Sequence, residues 1–136
     1  MADGGFLDDR IDAGAWPLAV GDVLVLALVF TGGAIRHHGT TYPLDDPVGW
    51  VVTILPFLLG WLLVAPLVGA YSAGAAESAK AAVPLAVRAW IPADAVALLV
   101  RAAAFDDGPL QLTFVAVTLG SGALGIAAWR WLRFRL

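Results

Sequence analysis

The stretch "VGWVVTILPFLLGWLLVAPLVGAY", residues 48–71, carries no charged side chain over a length that can cross a lipid bilayer. A membrane-spanning helix needs about 20 consecutive apolar residues. Trp50 and Tyr71 stand near the two ends of the stretch, and aromatic side chains are enriched where spans meet the membrane–water interface. The stretch therefore predicts a transmembrane helix over Val48–Tyr71.

The composition of the whole chain predicts several such spans. Of the 136 residues, 60% are hydrophobic and only 14% are charged, whereas soluble domains carry roughly 25% charged residues. Turns rich in Gly, Pro and Asp separate further apolar stretches. These stretches predict three more spans, over Pro17–Ile35, Ala81–Phe105 and Pro109–Trp131. We therefore expect an all-α fold, a four-helix transmembrane bundle that forms a single domain over residues 17–132.

The basic residues predict the orientation of this bundle. An even number of spans places both tails, residues 1–16 and 133–136, on one side of the membrane, and Lys and Arg favour the cytoplasmic side. The side of the tails would carry Arg10, Lys80, Arg130, Arg133 and Arg135. The other side would carry Arg36 and Arg101. We therefore predict a multi-pass protein of the cell membrane with both termini in the cytoplasm.

The composition gives no support to several classes of function. Cysteine is absent from the sequence, which excludes disulfides and thiolate metal sites. The net charge is −3, and no basic patch with interleaved aromatic residues indicates nucleic-acid binding. We expect no cofactor, no metal and no enzymatic activity, since no catalytic triad or phosphate-binding loop stands out. The Asp-rich, Lys-poor composition is similar to that of haloarchaeal proteins or reflects a GC-rich genome.

Ionisable residues inside the spans are candidate functional residues, because a charge at membrane depth is costly. Asp22 in the first span and Arg88 in the third would lie at similar depths, since these spans run in the same direction. A buried Asp22–Arg88 pair would offset the desolvation of both groups. In the alternative, Arg88 extends to the inner membrane surface and Asp22 caps a helix behind Gly21.

Asp94 stands near the middle of the third span, within "RAWIPADAVALLVR", residues 88–101. Pro92 removes a backbone donor and tends to kink the helix, and interrupted helices line the binding sites of many transporters. Because Asp94 has no cation at its own depth, we expect its carboxyl to be protonated at neutral pH. In the alternative, a shorter helix begins at Pro92 and Asp94 lies near the surface.

A charged cluster is predicted at the outer ends of the first and third spans. Arg36 follows Asp22 by fourteen residues and Arg101 follows Arg88 by thirteen, so both arginines reach the outer boundary together. His37 and His38 stand beside Arg36, but neighbouring residues on a helix point about 100° apart, which disfavours chelation of one metal ion. The cluster is either a solvated loop end, or a proton relay or lipid-headgroup contact.

Small residues at steps of four predict faces on which helices approach closely. They are Ala65, Gly69 and Ala73 in the second span, and Ser121 and Gly125 in the fourth. Such faces serve contacts within the bundle or self-association. The expected partners are therefore the lipid bilayer and either a second copy of this chain or another membrane protein.

The order of the sequence motifs resembles a known family. The motifs are "GDVLVLALVF", "GGAIRHHG", "PFLLGWLLVAPLVGAY", "RAAAFDDGPLQLTFVAV" and "AAWRW". Over about residues 17–131 they resemble the small four-span proteins of domain-of-unknown-function family 3054, found mainly in archaea and actinobacteria. The resemblance implies four spans and a membrane location, without an established activity or catalytic residues. The residues that match the family pattern are Asp22, His38, Pro56, Phe57, Trp61, Gly69, Arg101, Pro109, Phe114 and Arg130.

Two functions fit these features. One is a small transporter or channel for protons, ions or a small solute, with a path lined by Asp22, Arg88 and Asp94. The alternative is a non-catalytic membrane subunit or scaffold, in which the charged residues pair within the bundle or with another membrane protein. We take the transporter as the working hypothesis because it assigns roles to particular residues, and the subunit or scaffold stays open as the alternative.

Overall fold

The computed structural model describes residues 10–104 and 111–135, which form four long helices. The helices are α1 (Trp16–His38), α2 (Pro47–Val68), α3 (Ala79–Ala104) and α4 (Leu112–Arg133). Each is long and apolar enough to cross a membrane. The all-α, four-helix transmembrane fold predicted from the sequence is therefore confirmed.

Local sequence explains where the helices begin and end. Proline occupies the first turn of α1 and of α2, where its missing N–H costs no hydrogen bond. The Asp46 carboxylate accepts a hydrogen bond from the Gly49 N–H at 3.0 Å and caps the start of α2. Helix α2 ends at Val68, three residues before the predicted end, because Gly69 adopts the left-handed conformation at φ +95°. The predicted boundaries at Phe105 and Pro109 lie outside the described residues.

The helices form a ring in chain order. Helix α1 packs against α2 and α4, and α3 packs against the same two helices, so α1 and α3 lie on a diagonal. We call the end with the start of α1, the end of α4 and the α2–α3 connection the terminal end. The opposite end, where α1 and α3 finish, is called the loop end. Which of the two faces the cytoplasm stays a prediction.

The core combines aromatic rings with small residues. Trp61 and Trp90 are fully buried, and the rings of Phe30 and Phe57 stack with centroids 4.1 Å apart. Gly60 lets α2 approach α3 so closely that a side chain there would overlap the Ala93 carbonyl. Small residues thus permit close helix contacts within the bundle. This was one of the two interpretations of the small-residue faces, the other being self-association.

Two of the predicted packing residues illustrate this use. Ala65 is fully buried, and a side chain at Gly125 would press against Val29 of α1. Both residues therefore serve contacts inside one chain. Self-association through other surfaces stays a prediction.

Residues immediately before α1 also contact the bundle. The Asp12 N–H donates to the Tyr71 carbonyl at 2.8 Å, and Ala15 is buried. This part of the predicted N-terminal tail therefore covers the terminal end.

Candidate functional site

A buried ion pair joins the first and last helices at the terminal end. Asp22 lies near the start of α1 and Arg130 near the end of α4, and both side chains are fully buried. Arg130 Nε donates to Asp22 Oδ1 at 3.0 Å, and Arg130 Nη2 donates to Asp22 Oδ2 at 2.6 Å. The two parallel contacts match the fork of a guanidinium to the two oxygens of a carboxylate.

Backbone carbonyls take further donors of the same guanidinium. Nη2 also donates to the Ala70 carbonyl, and Nη1 donates to the Ala82 carbonyl, each at 3.0 Å. Because α2 stops before Gly69, the chain turns and brings Ala70 to Arg130. Arg130 therefore connects α4 to α1, to the α2–α3 connection and to the first turns of α3.

Two aromatic side chains complete the arrangement. The Tyr71 hydroxyl donates to Asp22 Oδ2 at 2.8 Å, and the Trp61 Nε1–H donates to the Tyr71 oxygen at 2.6 Å. Burial, and next the Asp22 carboxylate, raise the pKa of the Tyr71 hydroxyl, so it remains a donor. We call this set the Asp22–Arg130 network, formed by Asp22, Trp61, Ala70, Tyr71, Ala82 and Arg130. It closes the terminal end with one carboxylate and one guanidinium that bond to each other.

The predicted pair between Asp22 and Arg88 is wrong. Arg88 is exposed on the outer surface of α3, and Asp22 bonds Arg130 instead. The physical reason is that α1 and α3 lie diagonally across the ring, whereas α1 and α4 are neighbours. Because Arg130 is buried, it no longer counts among the basic residues at the membrane surface. Four basic residues then remain on the side of the two tails and two on the other side, so the predicted orientation is unchanged.

Asp94 is buried near the middle of the bundle. Helix α3 continues through Pro92 without a break, and the Asp94 side chain is fully buried. The alternative of a helix that begins at Pro92, with Asp94 near the surface, is therefore wrong. The Thr118 hydroxyl of α4 donates to Asp94 Oδ2 at 2.7 Å. Within the described part of the chain, Asp94 Oδ1 has no hydrogen-bond partner.

A cleft of about 580 Å³ opens at the loop end, mainly between α1 and α4. We call it the loop-end cleft. Its basic and polar lining residues are Arg36, His37, His38, Thr53, Arg101, Gln111, Thr113, Thr118 and Ser121. Its aromatic lining residues are Phe30, Phe57 and Phe114. The predicted outer cluster of Arg36, His37, His38 and Arg101 is thus brought together around one cavity.

The cleft reaches the residue that bonds the buried acid. Thr118 lines the cleft, and its hydroxyl donates to Asp94, so the cleft and the buried carboxyl share this residue. At the other end of the same helix pair, the Trp129 ring lies against Gly21 and leaves no room for a Cβ atom. Helices α1 and α4 are therefore in close contact at the terminal end and enclose a cavity at the loop end.

The described residues of the two ends offer no evident metal site. In residues 10–104 and 111–135, no group of three or more His, Cys, Asp or Glu side chains is placed to hold a metal ion. The His38 ring stacks on Tyr42 with centroids 4.2 Å apart, which fixes one imidazole against an aromatic ring.

The fold and these two ends define a multi-pass integral membrane protein with a four-helix bundle. A family model described as "Protein of unknown function (DUF3054)" matches residues 19–133. The chain therefore belongs to this family, as its motifs indicated. No match was found among curated proteins, and none was found among solved structures.

Sequence reasoning did not assign the partners that the structure gives to the two acids. The sequence predicts Tyr71 only as a residue of the membrane interface and assigns no role to Thr118. A hydroxyl inside an apolar span needs an acceptor, which is a local signal for Thr118. Arg130 offered a second signal, because it lies near the end of α4 and Asp22 lies near the start of α1, which are at the same end of the bundle.

Proposed function

We propose that this protein is a small membrane transporter whose solute enters through the loop-end cleft. The observation that carries the proposal is that the cleft leads to Thr118 and Asp94, while the Asp22–Arg130 network closes the opposite end. A site near mid-membrane that is reached from one side at a time is the arrangement that alternating access requires. The proposal therefore favours a transporter over an open channel.

Asp94 is the proton-binding group in this proposal. The Thr118 hydroxyl has one hydrogen but two acceptors near it, Asp94 Oδ2 at 2.7 Å and the Val115 carbonyl at 3.1 Å. If Asp94 is protonated, its hydroxyl donates to Thr118 and Thr118 donates to Val115, so every hydrogen has an acceptor. Loss of the proton leaves a buried carboxylate with one bare oxygen, which is costly. The two states differ in the bonds that hold α3 to α4.

The roles of the other two path residues change in this proposal. Arg88 is exposed and no longer belongs to the path. Asp22 belongs to the closed end, where the solute leaves only after the contacts of Arg130 to Asp22, Ala70 and Ala82 rearrange. The network is thus a gate rather than a binding site.

Proton flux into vesicles that contain the purified protein and a trapped pH-sensitive dye tests the proposal. We expect the parent to carry protons under an imposed pH gradient and Asp94→Asn to lose this flux, because the amide cannot release a proton. Glu77→Gln removes an exposed carboxylate and is the matched control, which should retain the flux. A parent flux equal to that of protein-free vesicles, or a fully active Asp94→Asn, would contradict the proposal.

A non-catalytic membrane subunit remains the alternative, and one observation favours it. The spanning stretch of α4 is only 17% buried inside the chain, and it exposes Leu112, Leu124 and Leu132. Such a face packs against lipid or against another membrane protein. Co-purification of a partner chain in mild detergent, together with the absence of flux, would favour the subunit. Neither proposal includes a catalytic step, in keeping with the expectation from the sequence.

A further inference from the structure

The outer surface of α3 forms a continuous exposed face. Its members recur at steps of three or four residues, the spacing of one helix face, and are Pro84, Arg88, Ile91, Ala95 and Leu99. Ile91 is 58% exposed and Leu99 is 68% exposed, on a helix that is long and apolar enough to cross a membrane. Exposed apolar side chains of a spanning helix contact lipid. We call this surface the α3 outer face, and Arg88 places a positive charge in it.

Arg88 lies within the hydrocarbon depth of the membrane rather than at the end of its helix. Its Cα atom follows Ala79, the first residue of α3, by about 13.5 Å along the axis at 1.5 Å per residue. The 26 residues of α3 extend over about 39 Å, whereas the hydrocarbon core is about 30 Å thick. If α3 is centred, the Cα atom of Arg88 is therefore roughly 9 Å inside the boundary at the terminal end. A charge at this depth is costly unless a group of opposite sign reaches it.

The described part of the protein offers Arg88 no group of opposite sign. Inside the four long helices the carboxylates are those of Asp22 and Asp94, and both are fully buried. Asp22 bonds Arg130 and Asp94 bonds Thr118. The helices of a second copy of the chain therefore present no exposed carboxylate at the depth of Arg88. The membrane itself has to supply the anion.

A phospholipid phosphate is the anion that the membrane brings to this face. Side chains of a helix lean toward its first residue, and α3 begins at the terminal end. The guanidinium of Arg88 therefore lies nearer to the headgroups than its Cα atom, as expected for arginines that extend to the interface. A guanidinium fork matches two oxygens of one phosphate, and it is less strongly hydrated than an ammonium group.

The charge balance selects the class of lipid. An anionic phospholipid neutralises Arg88, whereas the choline group of phosphatidylcholine leaves one positive charge in excess at low dielectric constant. We propose that the α3 outer face binds an anionic phospholipid of the leaflet at the terminal end, with its phosphate at Arg88 and an acyl chain along Ile91 and Leu99. The site is separate from the loop-end cleft, and its test does not depend on proton flux.

Native mass spectrometry of the protein in a nonionic detergent tests this site. The protein is titrated with phosphatidylglycerol or with phosphatidylcholine that has the same acyl chains, and the bound lipids are counted. We expect the parent to bind phosphatidylglycerol about fivefold more tightly, the contribution of one basic residue near an anionic lipid. Equal affinities for the two lipids would overturn the proposal.

Matched arginine variants locate the site. Arg88→Gln should abolish the preference for phosphatidylglycerol, and Arg88→Lys should fall between parent and Arg88→Gln because it keeps the charge without the fork. Arg36→Gln removes the same charge from an exposed position at the loop end and should keep the preference within about twofold. Equal losses in Arg36→Gln and Arg88→Gln would contradict a site on the α3 outer face.

A melting experiment shows whether the bound lipid acts on the folded protein. Phosphatidylglycerol should raise the Tm of the parent more than that of Arg88→Gln, because a ligand that binds the folded state stabilises it. Equal rises in Tm would overturn the proposal.

Two other occupants of the face give different results. Inorganic phosphate in large excess should not displace phosphatidylglycerol, and displacement would assign Arg88 to a soluble anion. A dimer mass that is present in the parent and absent in Arg88→Gln would assign the face to self-association. Either result would overturn the lipid site.

Discussion

The terminal end and the loop end use charged side chains in opposite ways. At the terminal end, Asp22 and Arg130 are fully buried and bond each other, two backbone carbonyls and Tyr71. At the loop end, Arg36, His37, His38 and Arg101 surround a cleft in which no described lining residue is acidic. The comparison teaches that a buried charge paired within the chain holds helices together, whereas the charged residues of the loop end line a cavity instead.

The buried pair specifies which helices are neighbours more than it stabilises them. A buried ion pair adds little over an apolar pair of the same shape, but the loss of one partner is costly. In this protein the pair contacts α1, α3, α4 and the connection after α2. An arrangement of the helices that separated Asp22 from Arg130 would leave two buried charges without partners.

The largest expected effect on stability comes from the removal of one charge from the buried pair at the terminal end. We expect Asp22→Asn to lower the free energy of unfolding by about 3–5 kcal/mol, because Arg130 would remain as an uncompensated buried cation. Denaturant unfolding in detergent measures the change. The double variant with Arg130→Gln should lose less than the sum of the single variants.

The control for this prediction is the arginine that the sequence suggested as the partner. Arg88→Gln alone should change the unfolding free energy by less than about 0.5 kcal/mol, because the side chain is exposed. Its effect should simply add to that of Asp22→Asn. Additive losses for Asp22 and Arg130, with coupling between Asp22 and Arg88, would reverse the assignment.

A smaller effect should distinguish the close packing of the terminal end from the open loop end. A Cβ atom at Gly21 would overlap the Trp129 ring, whereas a Cβ atom at Gly33 meets nothing within 4 Å. We expect Gly21→Ala to lower the unfolding free energy by about 1–3 kcal/mol through overpacking. In the same helix, Gly33→Ala should raise it by up to about 1 kcal/mol through helix propensity. Similar changes in both variants would remove the contrast between the ends.

The smallest expected effect is a fall in the free energy of unfolding at alkaline pH, caused by Tyr71 at the terminal end. Because burial and next Asp22 raise the pKa of Tyr71, this residue adds stability that is fully present below its unfolded-state pKa of about 10. Above that pH the unfolded chain loses the proton first, so the unfolding free energy should fall by about 1.4 kcal/mol per pH unit. Tyr71→Phe should lack this contribution.

Absorbance can follow the same residue directly. The chain has two tyrosines, so Tyr42→Phe leaves Tyr71 as the only phenol. Phenolate absorbance should then appear together with unfolding rather than before it. Phenolate formation in the folded protein near pH 10 would show that Tyr71 is not held as a donor to Asp22.

The sequence by itself determined the features that depend on one helix at a time. The uncharged run at residues 48–71 and its counterparts predicted four spans, since apolar length reports how each segment interacts with lipid. The fixed rise of a helix placed Asp94 near mid-span and brought Arg36 and Arg101 to the same end. These properties need no knowledge of which helix lies beside which.

Only the tertiary structure decided the partners. Asp22 bonds Arg130, which is 108 residues away, and Asp94 bonds Thr118 on the neighbouring helix. Depth along the membrane favoured Arg88 as the partner of Asp22. The choice followed from the order of the helices around the ring and from the direction in which each side chain points. That order depends on the packing of all four helices together, where Gly21, Gly60 and Gly125 permit close contacts. The loop-end cleft likewise depends on the tertiary structure, because residues of all four helices line it.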